Sequence, residues 1–247
     1  MENQIINWLK NYISDTKLNT FVIGISGGID SALTSTLCAK TGFQTILVSL
    51  PIHQNKNHLF RARKHIDDLK NKFKNVVYLE IDLSNTFDQF KSNFTFSNEL
   101  AEANSRSRLR MTTLYHIANS NNGIVVGTGN KVEDFGVGFY TKYGDGGVDI
   151  SPIADLLKTE VRDLAKNIGV IDEIIQAKPS DGLWDDSRSD EDQIGATYEE
   201  LEWAMDFIEN ERSIDISNRQ NEVLRIYKEF NTKNQHKMKS IPIFKKK

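Results

Sequence analysis

Four short apolar, β-branched runs punctuate the first half of the chain: FVIGI (21–25), TILVSL (45–50), VVYLEIDL (76–83) and GIVVGTG (123–129). Between them, over 31–40, 59–72 and 100–118, apolar residues recur at helical spacing. Strands alternating with helices build βαβ units on a parallel sheet. The runs are nearly continuous in apolar residues, as expected of strands covered on both faces. Two further helices are predicted over 155–169 and 197–211. Gly169 sits where a helix ends, and Leu201, Ala204, Met205 and Ile208 share one face of the second helix. No Pro, Gly or Ser cluster marks a linker, and no repeat is visible. The expected fold is α/β, a doubly wound parallel sheet flanked by helices with a mostly helical C-terminal third. One domain is expected over 1–247.

Composition narrows the class without naming a function. The chain has 247 residues, 38% hydrophobic and 26% charged, enough for a sizeable core. Its one cysteine, Cys38, lies at an apolar helical position, so no disulfide framework exists and a buried thiol is expected. No leader peptide or apolar run of about 18 residues is present, which points to a cytoplasmic protein without a membrane partner. A net charge of −3 gives no basic field for nucleic acid. Six acids and one arginine fall in 181–192, and six lysines with no acid in 233–247. By charge alone these read as a solvated loop and a solvated tail. The five histidines lack zinc-ligand spacing.

The chemistry concentrates at SGGIDS (26–31), where the first strand ends and a helix begins at about Asp30. Ligands of open parallel sheets sit at carboxyl ends of strands, where helix N-termini offer free N–H groups to anions. Gly27 and Gly28 permit close backbone approach, and Ser26 and Ser31 add hydroxyls. Asp30 is out of place beside a phosphate unless Mg²⁺ bridges the two, or unless it simply caps the helix. Spacing leaves both readings open. No lysine follows the glycines in Walker fashion, and the G-x-G-x-x-G pattern of hydride-transfer enzymes is absent.

SGGIDS after a first strand resembles the PP-loop of the ATP pyrophosphatase superfamily, whose members cleave ATP between the α- and β-phosphates. Further segments resemble NAD synthetases, in family order. They are NSRSRLRMTTLYHIA (104–118), GTGNKVEDFGVGFYTKYGDGGVDISPIADLLKTEVRDLA (127–165), KPSDGLWDDSRSDEDQIGATY (178–198) and HK (236–237). The resemblance covers most of the chain. It implies ammonia-dependent amidation of deamido-NAD, with ATP giving AMP and pyrophosphate and no protein nucleophile.

The resemblance also implies roles. Gly24, Ile25, Ser26, Gly27, Gly28, Ile29, Asp30, Ser31, Thr128, Lys158 and Ser180 would contact ATP. Arg108, Lys142, Asp149, His236 and Lys237 would contact deamido-NAD. Asp30 and Glu133 would hold Mg²⁺, with Asp30, Lys142 and Lys158 nearest the chemistry. The acidic stretch 181–192 would close over ATP, and the lysine tail would fold onto substrate. A homodimer is implied, for which Phe87, Phe90, Phe94, Phe96 and Leu100 could supply an apolar face or core. Departures are small: Ser107 where alanine is expected, Val132 where serine is frequent, and Asp181-Gly182 in place of Ala-Asp. About twenty residues precede the loop strand, too few for a glutaminase domain, so free ammonia is the expected donor. The alternatives are a tRNA-modifying PP-loop enzyme, disfavoured by charge and the lone cysteine, or a non-catalytic adenine-nucleotide module in which Asp30 and Glu133 stand idle.

Overall fold

The computed structural model describes residues 1–54, 56–177, 190–212 and 215–246. Helix α1 (Glu2–Asp15) leads into β1 (Thr20–Gly24), α2 (Ile29–Lys40), β2 (Gln44–Ser49), α3 (Lys56–Lys72) and β3 (Val76–Glu80). Next come α4 (Ser84–Lys91), α5 (Glu99–Ser120), β4 (Gly123–Val125) and a π-helix, Lys131–Val137. The chain then runs through α6 (Lys158–Asn167), α7 (Asp172–Ile175), α8 (Asp190–Ile194), α9 (Tyr198–Glu209) and α10 (Asn218–Met238).

All four strands are parallel, in the order β3-β2-β1-β4. Alternation along each strand divides its side chains between two cores. Phe21, Ile23 and Leu47 pack with α1, α2, α3 and α6 on one face. Val22, Ile46 and Val48 meet Phe87 of α4 and Met111 and Leu114 of α5 on the other. The sheet is therefore covered on both sides, as its continuous apolar runs predict. A third core joins the π-helix to α9 and α10 through Val132, Val137, Leu201, Met205, Leu224 and Tyr227. Strand order reverses between β2 and β4 on either side of β1, so the crevice beyond β1 and β4 is a topological switch point.

Two strands are shorter than their apolar runs. Ile81 and Leu83 still donate to Ser49 and Pro51 of the neighbouring segment, but Pro51 has no N–H to continue the ladder. At β4, Val126 still donates to the Val22 carbonyl of β1 while it bridges Ile150 in an isolated pairing, and Gly127 donates to the Ile150 carbonyl. The helix expected from 155 begins at Lys158, while 197–211 becomes α9, capped by Thr197 with Glu200 answering. Apolar periodicity alone did not pick out α1, α4, the π-helix or α10. The buried stripe of α1 is only Ile6, Leu9 and Ile13, and that of α10 is Val223, Leu224 and Tyr227 with Asn234. Of the candidate apolar face, Phe87 is core while Phe90, Phe94, Phe96 and Leu100 are exposed. Cys38 is fully buried. No described helix is long and apolar enough to cross a membrane.

Candidate active site

The glycine turn is the first piece. Gly27 has φ +83, and a Cβ there would stand 2.5 Å from the His58 carbonyl oxygen of α3. Only glycine fits that close crossing with a left-handed backbone. Gly28, in extended conformation, caps α2, and Asp30 lies one residue inside the helix. Asp30 therefore does not fill the N-cap position. The serines bond within the loop: Ser26 Oγ accepts from Gly28 N at 3.2 Å, and Ser31 Oγ donates to the Gly28 carbonyl at 3.0 Å. The Gly28 N–H is thus occupied by the Ser26 hydroxyl.

The second piece comes from the far side of the switch point. Beyond β4, Gly127, Thr128 and Gly129 carry the chain to Asn130, which is wholly buried and N-caps the π-helix. Asn130 Oδ1 accepts from the Glu133 N–H at 3.0 Å, while Nδ2 donates to Asp30 Oδ1 at 3.0 Å. A single amide thus ties the loops after β1 and β4 together.

Lys158 completes the cluster. It is the first residue of α6, 2% exposed, and its Nζ lies 2.6 Å from Asp30 Oδ2 and 2.9 Å from Glu133 Oε1. The Tyr198 hydroxyl of α9 donates to the same Glu133 oxygen, and the Tyr198 ring lies 4.9 Å from Lys158 Nζ. Burial works against the ammonium, yet Asp30 and Glu133 outweigh it and hold the Lys158 pKa above its ordinary value. Burial raises Asp30, with Lys158 opposing and Glu133 adding to it. Glu133 is lowered, because Lys158 and Tyr198 overcome its burial. One cation between two carboxylates leaves the cluster a net negative charge.

That charge and its all-oxygen donor set suit Mg²⁺, which is held by one or two carboxylates and completed by substrate phosphates and water. Among the described residues no group of three or more His, Cys, Asp or Glu side chains is arranged as a metal site.

The residues assigned to the second substrate gather elsewhere, between α5, the 138–149 segment and the end of α10. Arg108 Nε donates to the Lys142 carbonyl at 3.1 Å, and Lys142 Nζ reaches the His236 carbonyl at 2.6 Å. Lys237 Nζ bonds the Gly138 and Tyr140 carbonyls at 2.9 and 2.8 Å. Asp149 is held by the Tyr115 hydroxyl at 2.9 Å and the Val125 N–H at 2.8 Å. A shallow pocket of about 530 Å³ opens here between Met111, Thr112, Tyr115, Tyr143 and Gly147. Asp145, raised by burial, accepts from Ser107 at 2.7 Å, so serine at 107 has a bonding role.

The structure thus brings Asp30, Glu133 and Lys158 into contact beside the 24–31 loop, and groups Arg108, Lys142, His236 and Lys237 with Asp149 close by. Ser180 and residues 181–189 lie outside the described residues. Asn130 and Tyr198 belong to the site and were missed. For Asn130 a signal existed, since N-x-x-E before an apolar stretch is a capping pattern. Tyr198 joins the site only through tertiary packing.

A family model described as NAD synthase matches residues 1–241. The chain belongs to the NAD synthase family. Its sequence is 38% identical to an NH(3)-dependent NAD(+) synthetase of Finegoldia magna, over 86% of this chain and 86% of that protein. Identity to an enzyme of the same description from Methanosarcina acetivorans is 36%, covering 98% and 96%. A solved NMN synthetase from Francisella tularensis superimposes with TM-score 0.86 at 31% identity, covering 98% of this chain and 96% of that one. In this NAD synthase chain, the cluster at the switch point joins four segments distant in sequence, at Asp30, Asn130 to Glu133, Lys158 and Tyr198.

Proposed function

We propose that the chain amidates deamido-NAD to NAD, with ammonia as nitrogen donor and ATP converted to AMP and pyrophosphate. The observation that carries this reading is the buried Asp30–Lys158–Glu133 cluster beside a glycine turn at the switch point. The curated relatives, NH(3)-dependent NAD(+) synthetases, support the choice of substrate and donor.

In the first step an oxygen of the nicotinate carboxylate bonds to the α-phosphorus, and the bond to the β-phosphate oxygen breaks. Pyrophosphate leaves, and a mixed acyl adenylate remains. In the second, the ammonia nitrogen adds to the activated carbonyl carbon, AMP leaves with the carbon–oxygen electron pair, and the nitrogen loses a proton. The protein contributes position and electrostatics rather than a covalent partner. The Gly24–Ser31 loop with Thr128 and Ser180 would bind ATP, Asp30 and Glu133 would hold Mg²⁺, and Lys158 fixes both carboxylates. Bound magnesium neutralises polyphosphate charge. At the other end Arg108, Lys142, Asp149, His236 and Lys237 bind deamido-NAD, and Lys142 must leave the His236 carbonyl to do so. The acidic segment expected to close over ATP lies, over 181–189, outside the described residues. A homodimer buries Phe90, Phe94, Phe96 and Leu100, and light scattering checks its mass.

The test is one assay with ATP, Mg²⁺, ammonium and deamido-NAD, scoring NAD and pyrophosphate together, with parallel arms containing glutamine or nicotinate mononucleotide. Equal NAD and pyrophosphate, dependent on ammonium and deamido-NAD, is the expected result. Pyrophosphate without that dependence, glutamine serving as well as ammonium, or NMN formed in preference to NAD would each overturn a stated part of the reading.

A further inference from the structure

Arg61 stands on the second turn of α3, where that helix crosses the glycine turn. The crossing is tight: a Cβ on Gly27 would lie 2.5 Å from the His58 carbonyl oxygen and 3.2 Å from the Ala62 nitrogen. Arg61 Nε donates to the Gly27 carbonyl at 3.2 Å. A guanidinium carries five N–H groups, and this bond uses one. Among the described residues Arg61 has no carboxylate partner, and its partial burial lowers its pKa with no anion offsetting it. The bond to Gly27 ties α3 to the turn and leaves the remaining guanidinium donors available to an anion.

The charge balance nearby says what it could serve. Lys158, the cation of the central cluster, is already shared by Asp30 and Glu133, and that group is net negative. It has no positive charge to spare for a triphosphate. Arg61 is bonded to the backbone of the loop itself. With Nε fixed on Gly27, both Nη groups form a planar fork, the geometry that grips phosphate through two parallel bonds.

We propose that Arg61 is a phosphate-binding residue of the ATP site, its Nη groups gripping the β- and γ-phosphates that depart as pyrophosphate. This rests on the ATP-site reading above. Because the Gly27 carbonyl aims the side chain, Arg61 follows the loop and holds the pyrophosphate half of ATP. Neither nicotinate nor ammonia enters its role.

The experiment titrates inorganic pyrophosphate with Mg²⁺ calorimetrically into the wild-type chain, Arg61→Gln and Arg61→Lys, with steady-state kinetics and urea unfolding on the same proteins. Glutamine keeps a neutral donor and similar bulk; lysine keeps the charge without the fork. Arg61→Gln should bind pyrophosphate about tenfold more weakly or worse, and raise the KM for ATP by a similar factor. The KM for deamido-NAD should stay within about twofold, and Arg61→Lys should recover part of the pyrophosphate affinity. Unchanged pyrophosphate affinity in a folded Arg61→Gln, or both KM values rising together with a lower urea midpoint, would leave Arg61 a mere tether and overturn the inference alone. A wild-type chain that binds no pyrophosphate and forms no NAD would overturn the ATP site, and this inference with it.

Discussion

The two ends of the site are built on opposite plans. At the proposed ATP end side chain meets side chain: Lys158, Asp30, Glu133, Asn130 and Tyr198 satisfy one another, with the two carboxylates still partly open to solvent. At the other end the cations rest on backbone carbonyls: Arg108 on Lys142, Lys142 on His236, and Lys237 on Gly138 and Tyr140. The first arrangement is preorganised, and its desolvation cost is met on folding. The Arg108 and Lys142 bonds are exchangeable, since a carbonyl released at an exposed site is rehydrated. On the proposed reading, a site built this way would take ATP with little rearrangement and hold the larger substrate through exchangeable contacts.

The contrast can be broken by removing one member from each end. Lys158→Met leaves two largely buried carboxylates without their cation, at a cost of about 3–5 kcal/mol in urea unfolding, with NAD formation abolished. A loss below about 1 kcal/mol would show that the cluster is not tightly coupled. Acid offers a second lever, on the helix that crosses the glycine turn. His65 of α3 is fully buried, its Nε2 2.9 Å from Ser35 Oγ of α2 and its Nδ1 without a partner, and burial lowers its pKa from 6.5 to about 4. Between those values the unfolded chain takes up a proton that the native chain refuses, so stability falls as pH drops from 6.5 to 4. The contribution reaches about 3 kcal/mol. His65→Gln should flatten urea midpoints against pH over that window, and an unchanged slope would contradict the assignment.

Smaller effects sharpen the contrast. Tyr198→Phe removes one hydrogen bond to a charged oxygen and should cost about 1.5–3 kcal/mol, visible as a lower melting temperature together with weaker ATP–Mg²⁺ binding. Lys142→Ala should change stability by less than about 1 kcal/mol, because its bond to His236 is exposed, while raising the KM for deamido-NAD about tenfold. A Lys142 variant that unfolds the chain, or leaves that KM alone, would erase the distinction between the ends.

Legibility in the sequence followed the same divide between local and distant. The strands and most of the helices packed on the sheet could be read because each buries a face whose period is written locally. The glycine turn was legible because strand, Gly-Gly and helix are contiguous. Asp30 could not be assigned from spacing, since a cap and a metal ligand ask for the same residue at one place. It took Lys158, 128 residues away, and Asn130, 100 away, to show its carboxylate turned from the backbone toward a cluster. Lys158 itself reads locally as a surface lysine in DLLKTEV, and only packing under α9 buries it. The strands ended early for reasons beyond apolar pattern, namely the missing donor at Pro51 and the isolated pairing of Val126 with Ile150.

The central claim is that Asp30 holds the Mg²⁺ of ATP rather than the end of α2. The direct measurement compares wild type and Asp30→Asn by calorimetric titration of ATP with and without Mg²⁺, on protein whose melting temperature is recorded in the same buffer. The account predicts that the variant melts as a folded protein, loses the magnesium-dependent part of its ATP affinity and forms no NAD. Magnesium-dependent binding and NAD formation near wild-type levels in Asp30→Asn would contradict it.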